Sequence, residues 1–457
     1  MMDRRGFATG LVSVAFAGLA LRAGAEAATP LPAAPGYGPL RPDPAGMLDL
    51  PDGFSYRVIS SFNTPMSDGL TVPDAADGMG AFKGRNGRII LVRNHELRVS
   101  DAAVGAVRAG QNQPLRAFDR TQEGLALPGG TTTLVYDPAR RIVEAQWLSL
   151  AGTIRNCSGG VTPWGSWLTC EEDVSRAGSG GIAQDHGFVF EVRARQRGLA
   201  NPMPLRAMGR FNHEAAVVDP QSGIVYLTED RTNGLFYRFL PDRRGKLAKG
   251  GRLQAMAVSG VPDTRNWGAV GLPSGTSAPV RWVDLDHPES PDDDLRARGA
   301  AMGATLFARG EGIHMGLATG APEMFFCCTS GGAMKLGQVM RYRLSRFEGQ
   351  AGETATPGRL ENFIESTDPA ALNFGDNLTV APNGHLIVCE DQYTVPVDNR
   401  LQGITPDGRM YRLARTPLQT ELAGACFSPD GKTLFVNLYS PTRTLAIEGN
   451  WGAFRNA

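Results

Sequence analysis

Carboxylates recur in this chain just where short apolar runs end. Ile89-Ile90-Leu91-Val92 leads to Glu96, and Trp167-Leu168-Thr169-Cys170 ends in Glu171-Glu172. Ile224-Val225-Tyr226-Leu227-Thr228 ends in Glu229-Asp230, and Leu386-Ile387-Val388-Cys389 ends in Glu390-Asp391. Leu306-Phe307-Ala308-Arg309 reaches Glu311, and Glu214 follows Phe211-Asn212-His213 at the entrance to another apolar run. A single acid at a strand end is an ordinary solvated turn residue. Repetition at corresponding ends points to acids that meet. Converging carboxylates repel one another and bind protons too tightly unless cations neutralise them. An oxygen-rich shell of this kind suits a hard cation such as calcium, or ferric iron, with Asn94, Asn156 and Asn212 as neutral partners. With only six histidines in the chain, a histidine-dominated zinc or copper centre does not fit.

Acids separated by so many residues meet only if the intervening segments are strands that radiate from one axis. The chain carries 57 glycines and 31 prolines without collagen-like periodicity, and they punctuate short runs rich in β-branched and aromatic residues. Asp219-Pro220-Gln221-Ser222-Gly223, Ala381-Pro382-Asn383-Gly384 and Ser428-Pro429-Asp430-Gly431 each precede such a run, as hairpin turns do. This loose repeat predicts an all-β fold, a single β-propeller over residues 45–457, rather than a sandwich, which does not need long-range repeats. The stretch from Leu272 to Asp294 reads as a loop-like insertion over one face. Thr433-Leu434-Phe435-Val436-Asn437 is expected inside the closed architecture, with the two ends of the chain sharing a blade.

The N-terminus carries a different signal. Arg4-Arg5-Gly6-Phe7 precedes an apolar run from Ala8 to Leu21, and Ala25-Glu26-Ala27 offers small residues for cleavage. Residues 1–27 therefore read as a twin-arginine signal peptide that directs the chain to the periplasm, and 28–44 as a Pro/Ala/Gly-rich arm. The apolar run is too short for a stable membrane span. Without this segment, 43 basic residues face 44 acidic ones, which argues against a nucleic-acid surface. No P-loop, GxGxxG, HExxH or GxSxG frame is present.

Two cysteines bear on chemistry. Cys157 and Cys170 are close enough in sequence for a disulfide, which export would permit, and the residues alone leave that pairing open.

Arg93-Asn94-His95-Glu96 and the stretch from Asn156-Cys157-Ser158-Gly159-Gly160 through Trp167-Leu168-Thr169-Cys170-Glu171-Glu172 closely resemble the PhoX-type alkaline phosphatase family. Phe211-Asn212-His213-Glu214, Tyr226-Leu227-Thr228-Glu229-Asp230, Arg309-Gly310-Glu311-Gly312 and Phe427-Ser428-Pro429-Asp430-Gly431 continue the resemblance in order. It implies a monomeric six-bladed propeller that hydrolyses small phosphate monoesters with ferric and calcium ions. It further implies that Cys157 is a free thiolate bridging two irons. Carboxylate ligands carry over best to Glu171, Glu229, Glu311 and Asp391, then to Glu96, Glu172, Glu214 and Glu390, beside Asn156. Arg309 matches a phosphate-contacting arginine, and Lys335 is the candidate for a family lysine with the same task. Cys157, Glu311 and Arg309 are thus the expected catalytic set. The alternatives carried alongside are a propeller phosphodiesterase or lactonase, and a calcium-stabilised propeller that only binds.

Overall fold

The computed structural model describes residues 33–108, 116–317 and 322–455. The expected export signal and residues 28–32 of the arm lie outside the described residues. After the short pair β1 (Leu40–Arg41) and β2 (Leu50–Pro51) comes β3 (Phe54–Ser61). A four-stranded antiparallel sheet then follows, made of β4 (Ala76–Lys83), β5 (Ile89–His95), β6 (Gly129–Asp137) and β7 (Ile142–Thr153). A three-stranded sheet comprises β8 (Asn156–Val161), β9 (Ser166–Glu171) and β10 (Val189–Arg193). Next are β11 (His213–Val218), β12 (Val225–Glu229), β13 (Phe236–Pro241), β14 (Gly251–Val258) and β15 (Ser277–Leu285). A helix, Leu295–Ala301, leads to β16 (Gly310–Met315), β17 (Glu323–Cys328), β18 (Gln338–Arg343) and β19 (Arg359–Glu365). Two further sheets complete the chain. One contains β20 (Gly375–Val380), β21 (Leu386–Glu390), β22 (Arg400–Ile404) and β23 (Met410–Arg415). The other joins β24 (Leu422–Phe427), β25 (Thr433–Leu438) and β26 (Arg443–Gly449) to β3.

The all-β expectation is met, but a single six-bladed propeller is not what forms. Strands β11 to β19 share one nine-stranded sheet in the order β11-β12-β13-β14-β15-β19-β18-β17-β16. Its two end strands, β11 and β16, pack side by side, so the sheet curls into a nearly closed barrel beside four propeller blades. The physical cause is β15, which lies in the stretch read from sequence as a loop. Pro273, Ser274, Gly275 and the polar run after Leu285 give that stretch its loop character. Between them, Val280 packs with Trp282 into one apolar layer and Leu285 into another, while Arg281 and Asp284 are exposed, so the strand is partly buried on both of its faces. Val280–Leu285 pair with β14, and Ser277–Pro279 pair with β19, so one strand joins what the repeat alone separates.

The ends of the architecture close as expected. β26 pairs with β3 from Arg443 opposite Ser61 to Gly449 opposite Phe54, covering an edge that would otherwise be open. Apolar layers fill the spaces between sheets. Phe211 stacks on Tyr237 at 4.3 Å in one layer, and Phe236 on Phe326 at 4.4 Å in the next. No helix among the described residues is long and apolar enough to cross a membrane.

The feature that positions chemistry is a ring of strand starts. β4, β8, β11, β16, β20 and β24 each pack against the next, and β24 returns to β4. Each carries a register irregularity in its first few residues: Ala76/Met79, Asn156/Gly159, His213/Ala216, Gly310/Ile313, Gly375/Leu378 and Ala423/Cys426. A bulge leaves a residue out of the ladder and re-aims its side chain.

Candidate metal centre

The second residue of five of these strands is Asp77, Cys157, Glu214, Glu311 or Asp376. All five side chains are buried, and the bulges turn them into one cavity of about 470 Å³ at one end of the axis. Small residues behind them let the strands converge. A Cβ on Gly78 would lie 2.5 Å from Cα of Ser158, and one on Gly312 would lie 2.7 Å from Cα of Asn377. A second tier comes from the residue immediately after each second strand: Glu96, Glu172, Asp230, Thr329, Asp391 and Tyr439. Glu421, just before β24, joins them. Among the described residues, nine carboxylates therefore line one cavity: Asp77, Glu96, Glu172, Glu214, Asp230, Glu311, Asp376, Asp391 and Glu421.

Their donor atoms fall into four overlapping groups, each with all three atoms within 4.8 Å of one another: Asp77/Glu96/Cys157, Cys157/Glu172/Glu214, Glu214/Glu311/Asp376 and Asp376/Asp391/Glu421. Glu214 is fully buried, and neither of its carboxylate oxygens has a hydrogen-bond partner. One oxygen of Asp77 is likewise unpartnered. Such orphaned acids bind protons or cations. Without cations, burial and then the Asp376 and Glu172 charges push Glu214 well above the usual carboxylate range. Burial and the neighbouring acids raise Asp77, Glu172, Glu311 and Glu421 in the same way. Asp376 is pushed up to about 7 by burial and by Asp391. Burial and the Asp77 and Glu214 charges also raise the Cys157 thiol, whose Sγ lies 3.6 Å from Asp77 Oδ2. The residues present thus fit cations held between thiol and carboxylate donors.

Two arginines brace the acids, Arg155 within the second tier and Arg309 across the two tiers. Arg155 donates to Glu96 Oε1 at 2.8 Å and to Glu172 Oε2 at 2.6 Å. Arg309 grips Asp230 with a two-pronged pair at 2.7 and 2.9 Å and lies 3.2 Å from Glu311. Each immediately precedes an inner strand and has positive φ, +45° and +57°. Ala75 and Phe374, at the corresponding positions before β4 and β20, share this left-handed conformation, which costs a non-glycine residue about 1–2 kcal/mol.

Of the candidate site residues, the structure brings Glu96, Cys157, Glu172, Glu214, Glu311, Asp391 and Arg309 together in one cavity lining. It places Glu171, Glu229, Glu390, Asn156 and Lys335 elsewhere. Glu171, Glu229 and Glu390 are the last residues of their strands, and side chains alternate along a strand. The neighbour one step further points into the cavity, while these three turn back to hold the loop that follows. Glu171 accepts from the backbone N–H of Ile154, Gly187 and Phe188 and pairs with His186 at 2.6 Å. Glu229 accepts from the Leu235 N–H and the Tyr237 hydroxyl, and Glu390 from the Asn373 N–H and Arg400. Asn156 bonds Thr153 and Thr169. Lys335 Nζ sits 4.8 Å from the centre of the Trp267 ring, away from the cavity lining. All six cysteines are free, so Cys157 and Cys170 are not bridged; Cys170 belongs to the apolar core.

Sequence reasoning missed Asp77, Asp376 and Glu421, and it named Asp230 at a strand end without counting it among the ligands. A signal for the first two existed: Asp77-Gly78, Cys157-Ser158, Glu214-Ala215, Glu311-Gly312 and Asp376-Asn377 share a donor followed by a small or short residue.

Comparison with known proteins bears on this site. Residues 35–442 match the family model described as alkaline phosphatase PhoX. A search of curated proteins returned no match. Among solved structures, Pseudomonas fluorescens PhoX in complex with vanadate, a transition state analogue, aligns with a TM-score of 0.65 at 18% identity, covering 92% of this chain and 98% of that one. That enzyme and this chain share a fold. A gluconolactonase from Xanthomonas campestris aligns at TM-score 0.39 and 11% identity, over 86% of this chain and 98% of its own. A Dyadobacter fermentans protein of unknown function gives 0.43 and 8%, over 86% and 99%.

Proposed function

The chain belongs to the PhoX family of alkaline phosphatases, and from that premise we propose that it is a periplasmic, metal-dependent phosphomonoesterase acting on small organic phosphate esters. The observation that carries the reading is Glu214, buried with both oxygens unpartnered where two donor groups meet. A carboxylate in that position needs positive charge on each side. The groups containing Cys157 offer sulfur with carboxylates, a set suited to iron. The all-carboxylate groups around Asp376 suit calcium. Arg4-Arg5 and the apolar run behind them support export through the twin-arginine route.

When bound, such cations neutralise phosphate oxygens and activate an oxygen nucleophile, a contribution of several kcal/mol. The protein's own residues prepare the place. Asp77, Cys157, Glu172, Glu214, Glu311 and Asp376 would hold the cations on a floor closed from behind by Gly78 and Gly312. Arg155 and Arg309 hold the upper acids in place through their short ion pairs. The fork of Arg309, already set for two oxygens by Asp230, presents geometry that a phosphate can share. Burial and the Asp77, Glu214, Glu96 and Glu172 charges outweigh the nearby Arg155 guanidinium and favour the neutral Cys157 thiol, so its thiolate form would need a bound cation.

The test is elemental analysis and turnover on mature protein produced in metal-replete medium. Iron and calcium should copurify, and a small aryl phosphate should be hydrolysed at alkaline pH while a lactone is not. Protein that holds calcium without iron and cleaves the lactone but no phosphate ester would sink the proposal.

A further inference from the structure

Among the described residues, three guanidinium groups line the acidic cavity, and they are not equivalent. Arg155 and Arg309 each lie between two carboxylates. Arg98, two residues beyond Glu96, has no carboxylate within ion-pair distance among the described residues. Its backbone is fixed on both sides: the Leu97 carbonyl accepts from the Arg155 N–H at 2.9 Å, and the Arg98 N–H donates to Asp101 Oδ2 at 2.9 Å. The side chain itself is exposed, whereas the inner acids are buried, which places Arg98 at the mouth. The mouth is completed by uncharged groups, among them Tyr393, Val397, Gln419 and Thr420.

A phosphate monoester has one orientation that uses this arrangement. Its phosphate must reach the cation donors on the floor, so its leaving group faces the mouth. There Arg98, the one lining cation among the described residues not committed to a carboxylate, waits above a strongly acidic cavity, a place where an isolated anion is otherwise repelled. Resting on the phosphatase reading, we propose that Arg98 is a specificity-determining residue that recognises a second anionic group on the leaving side, so that the preferred substrates are phosphate monoesters whose alcohol bears a further carboxylate or phosphate.

The experiment compares phenyl phosphate with 3-(2-carboxyethyl)phenyl phosphate, whose carboxylate is insulated from the ester oxygen, using the metal-replete full chain. Arg98→Gln should lower kcat/KM for the carboxylated ester by roughly 5- to 10-fold, mainly through KM, and for phenyl phosphate by less than about 2-fold. Arg98→Lys should recover part of the preference, and high salt should erode it in the wild type. Equal losses on both esters, or a wild type indifferent to the extra carboxylate, overturn the role of Arg98 while leaving the phosphatase intact. A wild type that hydrolyses neither ester fails the phosphatase reading itself and takes this inference with it.

Discussion

Adjacent residues Glu171 and Glu172 should fail in opposite ways when each is replaced by glutamine. Glu171 Oε1 receives the Ile154 N–H at 3.0 Å and His186 Nδ1 at 2.6 Å, and Oε2 receives the Gly187 and Phe188 N–H groups at 2.9 and 3.2 Å. A glutamine keeps one acceptor oxygen. Whichever way its amide turns, at least one and up to two fully buried backbone donors lose their acceptor and face an NH₂ group. At about 2 kcal/mol for each group left unsatisfied, the cost comes to about 2–4 kcal/mol. For a chain of 457 residues the unfolding entropy is roughly 1 kcal/mol per kelvin, so Tm should fall by about 2–4 °C. Iron and calcium content should remain near wild type, because no Glu171 oxygen enters the cavity lining. Glu172→Gln instead removes a donor of the Cys157/Glu172/Glu214 group. Metal affinity should then drop by at least the roughly 10- to 100-fold that loss of an outer partner costs, with turnover falling alongside. Thermal unfolding in metal-replete buffer, elemental analysis and aryl phosphate turnover read all three quantities on each variant. If Glu171→Gln stripped the metals at unchanged Tm while Glu172→Gln kept them, the alternation argument would be refuted.

Three other outcomes follow from the same geometry. Glu214→Gln should raise the Tm of chelator-treated protein, by the order of 1–3 kcal/mol of relieved burial, yet lower metal content; a lower Tm in chelator would show that the carboxylate is not orphaned. Cys157→Ala should abolish most activity and reduce bound iron, whereas Cys170→Ala, in the apolar core, should cost about 1 kcal/mol of stability and spare both; equal iron and turnover in Cys157→Ala would reject a metal-binding thiol. The last concerns pH. Asp376 has its folded value raised from 3.8 to about 7, so the folded state binds the extra proton, and its stabilising contribution is complete below about pH 4 and is lost as pH rises through 7. Chelated protein should therefore lose Tm across that window, and Asp376→Asn should flatten the loss; identical slopes in the two proteins would count against it.

Strand composition, turn chemistry and the recurrence of acids were legible in the amino-acid sequence, because each is a local property. Val, Ile and aromatic runs bounded by Asp-Pro-Gln-Ser-Gly or Ser-Pro-Asp-Gly turns make strands wherever they fall, and acids repeated beside them predict a shared, charged centre. The family motif around Cys157 added the thiol. Three things depended on the tertiary structure. Strand pairing made β15 a bridge between β14 and β19, since hydrogen-bond partners are chosen across the fold and not along the chain, and the expected blade count changed with it. Alternation along each strand decided that Glu172, Asp230 and Asp391 enter the cavity while Glu171, Glu229 and Glu390 hold loops, because one residue of shift reverses the side to which a side chain points. Bulges at six strand starts turned Asp77 and Asp376 inward beside Glu214 and Glu311, and such bulges exist only relative to a neighbouring strand. Sequence thus established that acids would converge; only the packed sheets determined which member of each acidic pair does so.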